Sequence, residues 1–508
     1  LPLPAIAQAP AAPAETFHNP ILFADYSDPD VIRDGDTYYL VASSFEFVPG
    51  LPILQSKDLV HWTIIAHAVQ RLDLGPAYDL QGGNRYGGGV WAPALRKHDG
   101  RFYVFFPTPD EGIFMTSATV IAGPWTRPVA VIAGPGLEDP CPFWDDDGQA
   151  YLVHSKTGAG PLILHRMAPD GTHVLDPGTE IFRDPIHFHT LEGPKFYKRN
   201  GFYYIMAPYG GVSRGSQAVL RSKSIDGPYE ARTVLAQGST KINGPHQGAY
   251  VETPDGQPWF VHFQSRGAHG RIVHLEPVRW EDDWPVMGSA PPGAITGEPV
   301  ASGEVPHHAG GPQHQSIQTS DEFSSPILGL QWEWNHNPVD TQWSLTERPG
   351  FLRLHAQPAA DLFTARNTIT QVMQDESLDF TIRLDLHAMK PGDHAGLAMF
   401  EKAASGLEVI ADSTGQHLSF FHVAESVPGP ALTSPILQLR AHIQTDTVTY
   451  AYSLDDGKTF VPLGPAVLMK FSWWKGSRPA LFDYTTNPSA PGGTVDIDWA
   501  HYQPLPNP

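Results

Sequence analysis

At 508 residues the chain exceeds what one hydrophobic core usually supports, so two or more domains are expected. A formal net charge of −21 argues against a nucleic acid or an anionic membrane surface as partner, because both require a basic face. Fifty prolines and 48 glycines against 17% charged and 11% aromatic residues indicate a turn-rich, all-β protein. No apolar run reaches the ~18 residues of a membrane-spanning helix, and the single cysteine, Cys141, rules out an intrachain disulfide or a cysteine cluster for zinc.

Residues 1–14, LPLPAIAQAPAAPA, are uncharged and rich in small residues, the pattern of a signal-peptide cleavage region. Residues 1–18 therefore read as an export-signal remnant or disordered leader, and the protein as periplasmic or secreted. A repeat follows. DGDTYYL at Asp34, DGRFYVF at Asp99, DGQAYLV at Asp147, NGFYYIM at Asn200 and DGQPWFV at Asp255 each place an Asp-Gly or Asn-Gly hairpin turn before an aromatic strand. Their glycines lie 65, 48, 53 and 55 residues apart, a spacing that marks propeller blades. The outer segments SKDLVHW at Ser56, TSATVIAGPW at Thr116 and RSKSIDGPYE at Arg221 fit a third and fourth strand per unit. Residues 19–288 are thus predicted to form a five-bladed β-propeller.

Blades of this kind surround an axial channel, with ligands met at its mouth. Seven to ten residues before the turn glycines stand Asp28, Trp91, Asp139, Glu192 and His246, each with a proline within two residues. These five are expected to converge on the axis. A lone acidic residue beside proline is ordinarily a turn former, whereas three in register gather costly charge in one cavity and drive their pKa values apart. That separation suits glycoside hydrolysis, which needs one protonated acid and one ionised base. Asp30 lies on the same side as Asp28 if DPDV is a regular strand, so the pattern alone leaves both open. Where they carry no chemistry, Asp30, Asp145, Asp146 and Asp147 read as solvated turns, Cys141 as a small buried filler, and His187 and His189 as loop histidines.

The stretches SDPDVIRDGDTYYLVASSFEFVPGLPILQSKDLVHW, VWAPALRKHDGRFYVFF, EDPCPFWDDDGQAYLVHS and LEGPKFYKRNGFYYIM together resemble glycoside hydrolase family 43, over about residues 19–288. The resemblance implies a five-bladed propeller that inverts the anomeric centre, with Asp28 as general base, Asp139 as modulator of the acid's pKa and Glu192 as general acid. It favours Asp28 over Asp30, and it implies that Phe45, Trp91, His246 and Arg271 line the sugar subsite. Relatives in some cases hold a calcium or other cation near the channel histidine; no metal constellation is evident in the residues themselves, and no cofactor is required.

Residues 289–320, dense in Pro, Gly and small residues, read as a linker. From Asp321 to the end, alternating stretches such as FTIRLDL and VTYAYSL predict a β-sandwich. DEFSSPILGLQWEWNHNP, WSLTERPGFLRLHA, ARNTITQ and GDHAGLAMFE resemble the concanavalin-like carboxy-terminal domain of the same family, a jelly roll that in relatives walls off one end of the active site. Trp332, Trp334, Trp473 and Trp474 are expected in core and interface packing. The resemblance implies an exo-acting α-L-arabinofuranosidase on plant cell-wall oligosaccharides, arabinosylated xyloglucan or arabinoxylan fragments, with a β-xylosidase or a dual enzyme as the alternative. A non-catalytic sugar-binding propeller is the reading from another class.

Overall fold

The computed structural model describes residues 15–306, 316–489 and 491–506; the leader read over residues 1–14 lies outside the described residues. The repeated hairpins form the two inner strands of five four-stranded antiparallel blades. Their innermost strands are Asp30–Asp34, Ala94–His98, Leu137–Trp144, Lys195–Arg199 and His246–Glu252, in blades I to V. Because blades pack face to face, second strands such as Arg101–Thr108 are buried almost throughout and read as continuous apolar runs. The turns are less uniform than their Asp-Gly signature. Asp99-Gly100 and Asn200-Gly201 are two-residue turns with both φ angles positive, whereas blades III and V use five-residue connections.

Among the described residues each blade is one continuous segment and no strand is exchanged, so contacts between blades must close the ring. Asn19 bonds the backbone of Leu275 and Val300, and Leu22 bridges Val273, stitching the chain entering blade I onto blade V. At the far end of the channel a belt links neighbouring blades. Lys97 pairs with Asp34 at 2.6 Å, His98 stacks on Trp144 at 4.7 Å, Lys198 pairs with Asp145, Arg199 pairs with Glu252 at 2.7 Å, and Arg33 donates to the Glu252 carbonyl. Asp145 is therefore a linker of blades III and IV, also accepting from the Tyr203 hydroxyl at 2.6 Å, and not the solvated turn expected of it. Asp146 is exposed, as expected.

The carboxy-terminal half is a sandwich of a nine-stranded and an eight-stranded sheet. Leu378, Phe380, Ile382 and Leu384 alternate into its core along the strand Ser377–Asp385. The two halves are not separate bodies joined by a tether. Phe47–Val48, an excursion from blade I, pairs with Glu333–Asn335 and completes the larger sheet. One hydrophobic cluster runs from Val41 and Phe106 of the propeller to Leu397 and Leu439 of the sandwich. Two segment readings are corrected: Thr16–His18, assigned to the leader, pairs with Ser302–Glu304 of the supposed linker, and Gly297 bridges Leu235 of blade IV. Extended backbone near a sheet edge finds partners there, whatever its Pro and Gly content.

Asp30 is not the solvated turn residue expected of it: it opens the first strand of blade I, fully buried, and its Oδ2 accepts from Arg96 Nη1 and Leu95 N of blade II, both at 2.7 Å. Removing it strands a buried guanidinium, so Asp30→Ala is expected to cost about 3–5 kcal/mol in urea unfolding. Asp146→Ala, at an exposed site, should stay within about 0.5 kcal/mol of wild type.

Candidate active site

Strand geometry alone would point Asp28 and Asp30 the same way. Instead the strand begins at Asp30, and Asp28 takes a left-handed backbone (φ 55°) that turns its carboxylate toward the channel mouth. Phe45 and Asp139 are also left-handed, both at φ 53°. Such conformations cost of order 1–3 kcal/mol at a residue other than glycine and persist where the surroundings hold them. Phe45 is held by reciprocal backbone bonds with Val90. Gly89 is required beside it, since a Cβ there would fall 2.1 Å from the Phe45 carbonyl oxygen.

The five axial residues Asp28, Trp91, Asp139, Glu192 and His246 line one cavity of about 370 Å³ together with Phe45 and Arg271. Asp28 accepts from the Ser43 hydroxyl at 2.6 Å and from Arg271 Nη1 at 3.0 and 3.1 Å. Arg271 is itself buried, bonded to Ser27, with its backbone N–H held by Asp25 at 2.9 Å, and it packs over Phe263. It is thus no surface ion pair; the guanidinium fixes the position of the Asp28 side chain. Asp30 points away into its pair with Arg96 and does not line the cavity.

Across the cavity, Asp139 accepts from the Gly193 N–H at 2.8 Å and the Ser155 hydroxyl at 3.2 Å. Burial and the field of Glu192 push its carboxyl up to about 6. Glu192 Oε1 lies 2.8 Å from Nε2 of the buried His246, although the approach is off the geometry of a hydrogen bond. Glu138, which the sequence pattern did not single out, joins them: its oxygens, with those of Asp139 and Glu192, all come within 4.8 Å of one another. In a regular strand Glu138 and Asp139 would face opposite sides. The left-handed Asp139 and the register shift between Glu138 and Cys141 bring both into the cavity. Burial, then Asp139 and Glu192, push the Glu138 carboxyl up to about 8.

The apolar wall consists of Phe45, Trp91 and Trp474. Trp91 donates its indole N–H to the Gly87 carbonyl at 2.9 Å, which leaves the ring itself for apolar contact. Trp474 comes from the sandwich, is 47% exposed, and stands edge-on to Trp91 at 6.1 Å. It corrects the expectation of core or interface packing, which holds for the buried Trp332 and Trp334 and for Trp473, stacked on Tyr86 at 4.1 Å. Nothing in the local pattern around Trp474 marks it as a lining residue; the propeller loop it meets is some 380 residues away in sequence. Behind Phe45, Lys475 reaches to 5.3 Å from the ring, and burial pushes its amine down to about 8. Cys141 proves to be more than filler: its sulfur accepts from Arg96 and from the Phe196 N–H. His187 pairs with Asp184 on the surface, and neither it nor His189 lines the cavity.

Comparison with known proteins agrees with this geometry. Residues 17–285 match the description "Glycosyl hydrolases family 43", and residues 320–503 match "Beta xylosidase C-terminal Concanavalin A-like domain". A Xylanibacter ruminicola protein bearing a provisional beta-xylosidase name is 43% identical over 91% of this chain and 85% of its own. The non-reducing end alpha-L-arabinofuranosidase BoGH43B of Bacteroides ovatus is 37% identical over 67% of this chain and 65% of its own. A solved family 43 enzyme, described as engineered to display both endo-xylanase and exo-arabinofuranosidase activity, superposes with a TM-score of 0.86 at 29% identity, covering 97% of this chain and all of its own. With a matching propeller, a matching companion sandwich and a carboxylate-lined cavity between them, the chain belongs to glycosyl hydrolase family 43.

Proposed function

We propose that this protein is an inverting exo-glycosidase that releases terminal β-D-xylose from plant cell-wall oligosaccharides, with terminal α-L-arabinofuranose as a second substrate. The observation that carries the reading is the cavity itself, in which an Arg271-bound carboxylate, Asp28, shares a closed space with the carboxyl cluster of Glu192 and Asp139. Xylose stands before the arabinofuranose that the motif resemblance implies because the 43% identical relative carries a xylosidase name; the Bacteroides ovatus enzyme supports arabinofuranose. Both pentoses present similar hydroxyl patterns to one pocket.

In this reading Asp28 accepts a proton from a water molecule as the water attacks the anomeric carbon, and Glu192 gives its proton to the leaving oxygen on the opposite face. The glycosidic C–O bond breaks, one proton enters at Asp28 and one leaves Glu192, and exchange with solvent resets both. Asp139 stands beside Glu192, their oxygens within 4.8 Å, in the place of the modulator. Arg271 holds Asp28 in place and donates toward sugar hydroxyls, and the indole walls offer apolar faces to the ring. Trp474 and the buried end of the cavity limit it to a chain end. Beside His246 stand Glu192, whose oxygens cluster with those of Asp139 and Glu138 within 4.8 Å, and the ring of Phe263 at 5.4 Å. Calcium takes six to eight oxygens, more than these groups supply at one oxygen each.

Wild-type protein is expected to hydrolyse p-nitrophenyl β-D-xylopyranoside and, more slowly, the α-L-arabinofuranoside. Asp28→Ala should lose about 10²–10⁴-fold in kcat on both, and Glu192→Gln should lose more on xylobiose than on the aryl glycoside, whose leaving group needs little protonation. Equal losses of Glu192→Gln on the two substrates, measured by initial rates, would contradict the acid role. Trp474→Ala should raise KM by about three- to tenfold, the equivalent of an aromatic contact of about 0.5–1.5 kcal/mol, with kcat changing less. Rates after exhaustive EDTA treatment should match those of untreated enzyme; loss that calcium restores would instead place a cation in the channel.

A further inference from the structure

The sandwich reaches the cavity through a tight turn over residues 472–475, closed by reciprocal backbone bonds between Ser472 and Lys475. Its two central residues are Trp473 and Trp474, with φ of 51° and 65°. Asn and Gly ordinarily hold such positions, because a left-handed backbone strains a residue with a bulky side chain and persists only where the surroundings hold it. Trp473 is held by its stack on Tyr86 at 4.1 Å, while Trp474 projects into the cavity. The chain just after Trp474 is held by a carboxylate of the propeller, Asp25.

Asp25 lies in the segment entering blade I, buried, and does not line the cavity. Its Oδ2 accepts from the Gly476 N–H of the sandwich at 2.9 Å, and its Oδ1 accepts from the Arg271 N–H of blade V, also at 2.9 Å. Lys475 Nζ stands 3.9 Å from Oδ2 and donates to the Ser43 carbonyl at 3.4 Å, and the Ser43 hydroxyl donates to Asp28. The Ser477 N–H adds a bond to the Ala268 carbonyl at 2.7 Å. Two glycines permit so close an approach: a Cβ on Gly270 would fall 2.2 Å from the Asp25 carboxyl carbon, and one on Gly476 would fall 2.7 Å from the Ala268 oxygen. One carboxylate thus joins the arginine that holds the base to the turn that carries the indole wall.

We propose that Asp25 is a positioning residue for the glycosidase reaction: its two oxygens set Arg271, and through it Asp28, in register with Trp474 across the contact between propeller and sandwich. This rests on the glycosidase reading above and adds to it a residue that touches no substrate. Its action has two separable parts. Through Oδ1 it fixes where Arg271 presents Asp28 to the attacking water, which is felt in kcat; through Oδ2 it fixes Trp474 beside the sugar, which is felt in KM. Asparagine, of the same shape, cannot do both, because its amide has one acceptor oxygen and turns an NH₂ toward the second N–H.

The test measures kcat and KM on p-nitrophenyl β-D-xylopyranoside for wild type, Asp25→Asn and Gly476→Ala, and for Asp25→Asn placed in an Arg271→Met background, with thermal unfolding to establish that each variant is folded. Asp25→Asn should lower kcat about tenfold or more, the value of a hydrogen bond to a charged group, and raise KM about threefold. In Arg271→Met, where no guanidinium is left to be placed, the same change should lower kcat by less than about twofold. A role confined to stability would lower the unfolding temperature in both backgrounds and leave the kcat of the folded enzyme alone. Gly476→Ala keeps Asp25 intact but wedges the turn away from Ala268, so it should raise KM as Trp474→Ala does, with kcat changing less; it decides the matter by itself if Asp25→Asn does not fold. The proposal is overturned if folded Asp25→Asn turns over substrate like wild type, if its loss of kcat is as large in Arg271→Met, or if folded Gly476→Ala keeps the wild-type KM. No hydrolysis by wild type would overturn the glycosidase reading and this proposal with it, whereas normal wild-type turnover with kinetically unaltered variants would overturn this proposal alone.

Discussion

Four carboxyl groups in a cavity of about 370 Å³ repel one another, and the rest of the site is arranged around that repulsion. Blade V provides Arg271 to hold Asp28, and it provides His246 to meet Glu192. A backbone N–H at the entrance to blade IV bonds Asp139, and burial with the fields of Asp139 and Glu192 pushes the Glu138 carboxyl up. Because these counter-groups come from different blades, the site exists only when the ring is closed. The left-handed backbone at Asp28 and Asp139 is part of the same arrangement, since it turns acidic side chains inward where a regular strand would send alternate ones elsewhere.

Ring closure in turn depends on contacts that are individually small. No strand passes between blades, so the belt of Lys97–Asp34, His98–Trp144, Lys198–Asp145 and Arg199–Glu252 and the stitch at Asn19 share the task with packing between blade faces. An exposed ion pair of this kind is worth about 0–1 kcal/mol, so the belt sets register more than stability. The buried pair of Asp30 with Arg96 is different in kind, and its mouthward neighbour Asp28 is kept free for the cavity by it.

The sandwich belongs to this site as much as any blade does. Phe47–Val48 leaves the propeller, two residues after Phe45, to pair with Glu333–Asn335, and Arg478 anchors the seam through Glu333 at 2.5 Å and lies over Phe47. From the same seam Trp473 stacks on Tyr86 and Trp474 projects into the cavity. The shared hydrophobic cluster makes the two halves one packing unit, so the indole wall is placed by the core and not by a flexible linker.

The repeated hairpins, the alternating stretches of the second half and the carboxylates at equivalent offsets were legible in the chain because strand periodicity, turn chemistry and repetition are local properties. They determined five blades, a sandwich, and which residues would meet on the axis. Family resemblance chose Asp28 over Asp30; only the folded backbone showed why, through a left-handed turn that breaks the expected alternation. Trp474, Glu138 and the linking role of Asp145 were not legible. Each depends on a contact or a register shift between segments distant in sequence, and such contacts are decided by how sheets pack, not by any residue's own pattern.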